Sequence, residues 1–247
     1  MLFIIISGLE AQDCEIPEVS AINCCNFRYM VITKIMATRF QVWLPSLIYE
    51  MQSAFTGGRQ IHDNIVIVHE VLNHFKKLKI GKKRDMMIKL DMKKAYDLVE
   101  WKCLLSLLKA YGFGEKWCSW IKECISTVRF KILVNGSPTE GFTPSRGIRQ
   151  GDPLSPLLFI LMTNALSFLV EKSIELKHLK GLKLNQNCPR LTNCLFADDT
   201  VFFVEASLRE AANLMKVIRD YGAFTGQEIN TNKSPVFFSF NVNDEER

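Results

Sequence analysis

The 247-residue sequence has eight cysteines, Cys14, Cys24, Cys25, Cys103, Cys118, Cys124, Cys188 and Cys194, yet no pair at the C-x2-C spacing of a zinc site. It shows no secretory signal either. The opening apolar run, residues 1–6, is too short for a signal-peptide core or a membrane span, and no basic residue precedes it. These absences argue against a disulfide-stapled secreted scaffold and favour reduced thiols in a soluble intracellular chain with no membrane partner. Histidine is scarce. His62, His69, His74 and His178 accompany no nucleophile and have no metal-ligand spacing, so they read as ordinary surface or core residues. Internal repeats and low-complexity linkers are also missing.

What is present is a globular composition, 48% hydrophobic and 23% charged, in a chain long enough for one large domain or two small ones. The formal net charge of +5 is too small an excess to imply a polyanionic partner by itself. One local cluster says more: Lys76, Lys77, Lys79, Lys82, Lys83 and Arg84 crowd the stretch before an expected strand. They could meet phosphates, although a solvated helix end is the simpler reading.

Apolar spacing predicts helices over residues 29–47, 63–78, 99–111, 115–128, 153–170 and 207–224. Strands are expected at 86–90 and 236–240, and as a strand-turn-strand over 191–204. A hairpin should join 130–134 to 141–143 through Asn135-Gly136. Strands and helices mixed without regular βαβ alternation indicate an α+β sheet covered by helices.

Two acids, Asp198 and Asp199, interrupt the otherwise buried-strand composition of LFADDTVFF. Adjacent carboxylates repel each other, so a protein that keeps both ionised at one turn commonly offers them a cation. Asp residues also favour turns for local hydrogen bonding, which leaves a purely structural reading open. In KLDMKKAYD a second expected strand delivers Asp91 at its carboxyl end. Three acids from two strand ends can hold two divalent ions roughly 3.5–4 Å apart, an arrangement that clamps an in-line phosphoryl displacement. Mg2+ suits such hard oxygen donors and substrate phosphates. Asp97 and Asp152 read instead as helix caps: Asp97 with Glu100 has capping-box spacing, and Asp152 precedes Pro153.

The order KLDMKKAYD, PSRGIRQGDPLSPLLFIL, LFADDTVFF and GQEINTNKS resembles the successive palm motifs of reverse transcriptases encoded by plant LINE-like, non-LTR retrotransposons. QSAFTGGRQIHDNI and GFGEKWCSWI resemble the spacers of that family, and the likeness runs over about residues 23–240. The resemblance implies a polymerase palm, an antiparallel sheet backed by helices, with partial fingers and no thumb. Residues 20–80 would be fingers and 81–240 palm, with a fingers insertion near 128–150 and poorly matched ends at 1–19 and 241–247.

By the same resemblance Asp91, Asp198 and Asp199 are the metal-site aspartates, with Asp199 the least direct ligand, and two Mg2+ ions, or Mn2+, are the cofactors. Tyr96 matches the bulky side chain under the incoming sugar that selects deoxynucleotides; a plain core aromatic is the alternative. Gln150 and Gly151 match the loop that meets nucleotide and template, Arg149 and Arg146 could meet template phosphates, and Arg59 falls where the fingers reach template or nucleotide. Lys233 matches a lysine that protonates the departing pyrophosphate. The implied partners are an RNA template, a DNA primer and dNTPs. Departures accompany the matches: Ser20-Ala21-Ile22-Asn23 stands where the family has Arg-Pro-Ile-Ser, and Leu98 replaces a basic residue. The expected activity is RNA-directed DNA synthesis; an inactive remnant that at most binds nucleic acid, and an intron maturase, are the rival readings.

Overall fold

A computed structural model describes residues 2–6, 27–81, 83–135 and 137–243. In chain order the elements are β1 (Leu2–Ile6), α1 (Phe27–Gln41), α2 (Leu44–Leu47), α3 (Ile61–Lys77), β2 (Asp85–Leu90) and β3 (Met92–Lys93). They continue as α4 (Trp101–Ala110), α5 (Glu115–Ser126), β4 (Phe130–Val134), β5 (Ser137–Pro138) and α6 (Ser155–Glu175). The last are β6 (Asn193–Phe196), β7 (Asp199–Glu205), α7 (Leu208–Thr225), β8 (Glu228–Ile229) and β9 (Val236–Phe238). These form two compact units, one from residues 1–43 and 94–159, the other from 44–93 and 160–247. Each unit is discontinuous in sequence.

The second unit holds a four-stranded antiparallel sheet in the order β6-β7-β2-β9. β2 is central. Its sequence, DMMIKL, is buried at both ends, as a strand flanked by two partners and covered by protein should be. Val71 and Phe75 of α3 pack with Met87 of β2, Cys194 of β6 and Phe203 of β7 in one apolar cluster. Burying each such side chain contributes about 1.5–3 kcal/mol. A small second sheet pairs β3 with β8, Met92 opposite Ile229 and Lys93 opposite Glu228. That pairing was not expected from the sequence.

In the first unit β1 runs parallel to β4, from Leu2 opposite Phe130 to Ile6 opposite Val134. Residues 2–6 of the opening apolar run are thus a strand, a role its length alone left unread. The expected 141–143 arm of the hairpin is replaced by β5, because Asn135, at φ +46°, turns the chain at once. Phe142 still returns to Phe130, their backbones exchanging hydrogen bonds of 2.8 and 2.9 Å. Gly136 and Lys82 lie outside the described residues, as do Cys14, Cys24, Cys25 and the 20–23 segment. Phe40 of α1 meets Phe113 edge-on, with ring centroids 5.2 Å apart, alongside the buried Leu104, Leu108 and Ile121 of α4 and α5.

The single helix expected over 29–47 is two. α1 ends at Gln41, the Trp43 amide closes a turn on the Phe40 carbonyl at 3.0 Å, and α2 restarts at Leu44. Pro45 is the cause: it lacks the N–H that would continue α1 but fits a first helical turn. α6 is long and apolar enough to cross a bilayer, yet 67% of its apolar window is buried, as in a core helix. The five described cysteines, Cys103, Cys118, Cys124, Cys188 and Cys194, are free thiols. Burial pushes Cys103 and Cys194 up to about 12, which makes both inert near neutrality.

Candidate active site

β2 and β7 pair in a register that sets Lys89 opposite Val201 and Leu90 opposite Thr200. Asp91 therefore leaves the end of β2 where β7 begins with Asp199. Phe196 pairs with Asp199 across the β6–β7 hairpin, so Ala197 and Asp198 are its two loop residues. Ala197 has φ +54°, a left-handed conformation that costs a side-chain-bearing residue free energy and persists only where its surroundings enforce it.

Burial and like charge act on Asp198. Asp198 projects at the tip of the hairpin, but the protein packed beside it, and then Asp199 and Asp91, raise its pKa above the ordinary Asp value. Asp199 turns to Lys89, whose ammonium lies 2.9 Å from it, and that hydrogen bond raises the lysine pKa. Among the described residues no three His, Cys, Asp or Glu side chains converge as a ready ligand set. The three expected aspartates are neighbours in charge, but Asp199 already has a cation and the free pair is Asp91 with Asp198.

The GQEINTNKS segment fastens Asp91. The Asn230 amide donates to the Asp91 carbonyl at 2.8 Å, and the Asp91 amide donates to Ser234 Oγ at 3.1 Å. Ser234 Oγ in turn donates to the Asn230 carbonyl at 2.7 Å, and the Lys89 amide to the Pro235 carbonyl at 3.0 Å. Lys233, exposed, ends the short 3-10 turn Thr231–Lys233 inside this wrap. Ser234, Lys89 and the buried Gln52, whose amide oxygen accepts from the Ala197 amide at 3.3 Å, are site residues that reasoning on the sequence missed. Gln52 opens the QSAFTGGRQ spacer, but its partner lies 145 positions away and no local pattern announces it.

Arg59, expected where the fingers reach template or nucleotide, here braces its own segment. Its guanidinium donates to the carbonyls of Tyr49 at 2.6 Å, Gln52 at 2.9 Å, and Pro45 and Ile48 at 3.3 Å each. In the basic cluster Lys83 is engaged likewise, donating to the Lys183 carbonyl at 2.7 Å and lying 3.4 Å from the buried Asp85.

The remaining expected residues gather in the first unit. The 144–151 loop is tied to the segment after β3: the Ile148 amide donates to the Tyr96 carbonyl at 2.9 Å, and the Gly147 amide to the Val99 carbonyl at 2.8 Å. Trp101 Nε1 donates to the Gly147 carbonyl at 2.6 Å. A Cβ at Gly147 would meet the Asp97 carbonyl oxygen at 2.8 Å, so only glycine allows this approach. Tyr96 is half-buried, stacked on Phe159 with centroids 4.9 Å apart. Arg149 lies over the Tyr29 ring at 3.8 Å, Arg146 pairs with Glu100 at 3.7 Å, and Gly151 holds φ +87° beside Gln150. Neither expected cap forms. Glu100, without a side-chain cap bond, precedes α4, and α6 starts at Ser155, whose hydroxyl donates to Asp152 at 3.1 Å.

The family model for reverse transcriptase (RNA-dependent DNA polymerase) matches residues 19–243. The chain belongs to the reverse transcriptase family. It is 28% identical over 208 residues to a 149 kDa protein of transposon TX1 of Xenopus laevis, covering 83% of this chain and 15% of that protein. It is 30% identical over 206 residues to the retrovirus-related Pol polyprotein of the type-2 retrotransposable element R2DM of Drosophila melanogaster, covering 82% of this chain and 18% of that polyprotein. The domain thus spans less than a fifth of these relatives. In fold it matches the telomerase of Candida albicans, with a TM-score of 0.54 at 12% identity over 88% of this chain and 34% of that one. The antiparallel sheet with helices is the reverse-transcriptase palm-type α+β fold, and its non-LTR retrotransposon relatives agree with the motif order.

The family is metal-dependent, and the donors present fit a hard cation. Asp91 and Asp198 offer carboxylate oxygens, and the pKa of Asp198, raised by packing and like charge, marks a group that a divalent ion would relieve. Two carboxylates are enough where substrate phosphates supply the other ligands.

Proposed function

We propose that this domain performs nucleotidyl transfer in RNA-templated DNA synthesis, joining dNTPs to a primer 3′-hydroxyl. The observation that carries the reading is the β2–β7 register, which sets Asp91 beside the hairpin that presents Asp198. These two carboxylates would hold Mg2+, or Mn2+ in its place, whose charge assists attack of the hydroxyl on the α-phosphorus and departure of pyrophosphate. Asp199, paired with Lys89, supports the turn and stands back from direct ligation. Lys233 donates the proton that pyrophosphate takes up. Tyr96 is the side chain that would select deoxynucleotides, since a ring there would clash with a 2′-hydroxyl, and Gln150, Gly151 and Arg149 are the ones that would meet nucleotide and template. The Candida albicans telomerase that shares the fold was solved with a telomeric RNA fragment, which supports RNA as the template class here. Primer extension by the purified chain on an RNA template with Mg2+ tests the proposal. Extension that Asp91→Asn and Asp198→Asn both abolish is expected, and failure of the wild-type chain to extend would overturn it.

A further inference from the structure

We propose that Gln52 is a positioning residue for the metal-binding turn, its amide oxygen holding the Ala197 backbone and so fixing where Asp198 presents its carboxylate. The inference rests on the function proposed above. Gln52 is fully buried, and a buried amide is costly unless its polar atoms are bonded. They are. Oε1 accepts from the Ala54 amide at 3.0 Å and from the Ala197 amide at 3.3 Å, while Nε2 donates to Thr163 Oγ1 at 3.4 Å.

The backbone of Gln52 serves the same hairpin. It bridges Leu195 in parallel along β6, with the Leu195 amide donating to the Met51 carbonyl at 3.0 Å and the Ser53 amide to the Leu195 carbonyl at 3.1 Å. β6 is thereby held on the side away from β7. The amide oxygen then reaches past the strand end to the residue that needs holding, because Ala197 sits at φ +54° and strain of this kind relaxes unless surrounding contacts oppose it. Asp198 is the next residue. A hydrophobe of equal size would fill the same space but could not accept from Ala197, so packing alone does not explain a glutamine here.

The test uses the full chain and three variants. Gln52→Met keeps length and loses the acceptor, Gln52→Glu keeps an acceptor oxygen, and Thr163→Val removes only the hydroxyl that orients the amide. Mn2+ affinity by electron paramagnetic resonance, thermal midpoint and single-turnover dNTP incorporation are measured together. Gln52→Met is expected to weaken Mn2+ binding and slow incorporation by roughly 10- to 100-fold, the usual scale for a group that orients a metal ligand, with dNTP affinity nearly unmoved. Gln52→Glu should recover most of the loss, and Thr163→Val should lose roughly 2- to 10-fold. A folded Gln52→Met with unchanged Mn2+ affinity overturns the proposal, as do equal losses in the Met and Glu variants, which would mean packing. If Gln52→Met does not fold, Thr163→Val decides: wild-type Mn2+ affinity there overturns the proposal. Failure of the underlying function has a separate signature, Mn2+ binding that Asp198→Asn leaves intact.

Discussion

Under the proposed function Asp198 meets two opposed demands, since a group that would have to be ionised to hold a cation sits where ionisation is disfavoured. Packing, then Asp199 and Asp91, raise its pKa in the folded chain, so without metal the native state binds this proton more tightly than the unfolded one. Stability from this group is therefore full below the ordinary Asp value and declines as pH rises through the raised one. Asp198→Asn should accordingly raise the thermal midpoint of the metal-free chain at pH 7, and the gain should vanish below about pH 3.9. Mg2+ should raise the midpoint of wild type but not of the variant. A variant no more stable than wild type at pH 7 would contradict the electrostatic account. Tyr96 offers a second test at this scale. Tyr96→Val removes a ring stacked on Phe159, and a rise in ribonucleotide use relative to deoxyribonucleotide use is expected in competition assays. An unchanged ratio would reduce Tyr96 to a packing residue. Asp91 and Asp198 could be read from sequence because acids interrupt apolar runs. Gln52 and Ser234 could not, since each owes its role to a partner more than a hundred positions away.

Elements follow the same division between local and distant causes. β2 was legible as an apolar run ending at an acid, and the β6–β7 hairpin as two such runs around a turn. The β1–β4 and β3–β8 pairings depend on partners far along the chain, and no periodicity announces them. The break between α1 and α2 was written in Pro45, whose effect outweighs the apolar spacing that runs across it. The loop carrying Gln150 is shaped by Gly147, at φ +92° and within 2.8 Å of the Asp97 carbonyl were it to carry a Cβ. Gly147→Ala should cost about 1–3 kcal/mol from backbone conformation, with the clash adding to it. Urea denaturation measures the loss, and incorporation should fall along with it because the loop is tied to Tyr96. A Gly147→Ala chain of wild-type stability would mean that the loop relaxes freely.

At the scale of the whole molecule the question is how strongly so modest a positive charge can hold a polyanion. The excess is 31 basic over 26 acidic residues, and several cations are already engaged within the protein. Arg59 is bonded to four carbonyls, Lys83 to a carbonyl and Asp85, Arg146 to Glu100, and Lys89 to Asp199. With a formal net charge of only +5, the affinity proposed for an RNA–DNA hybrid should depend on salt less steeply than that of a strongly basic protein. With about four phosphates contacted, log K should fall against log salt with a slope of about −3 to −4. Asp198→Asn should leave that slope unchanged if, as proposed, its carboxylate meets metal rather than backbone phosphates, whereas Arg149→Ala should make it shallower by roughly one unit. Binding measured by fluorescence anisotropy between 50 and ~300 mM KCl separates the two. A slope near zero would mean that the nucleic acid is not held through its phosphates. One near −8 would mean that the domain meets about twice as many phosphates as its modest net charge suggests.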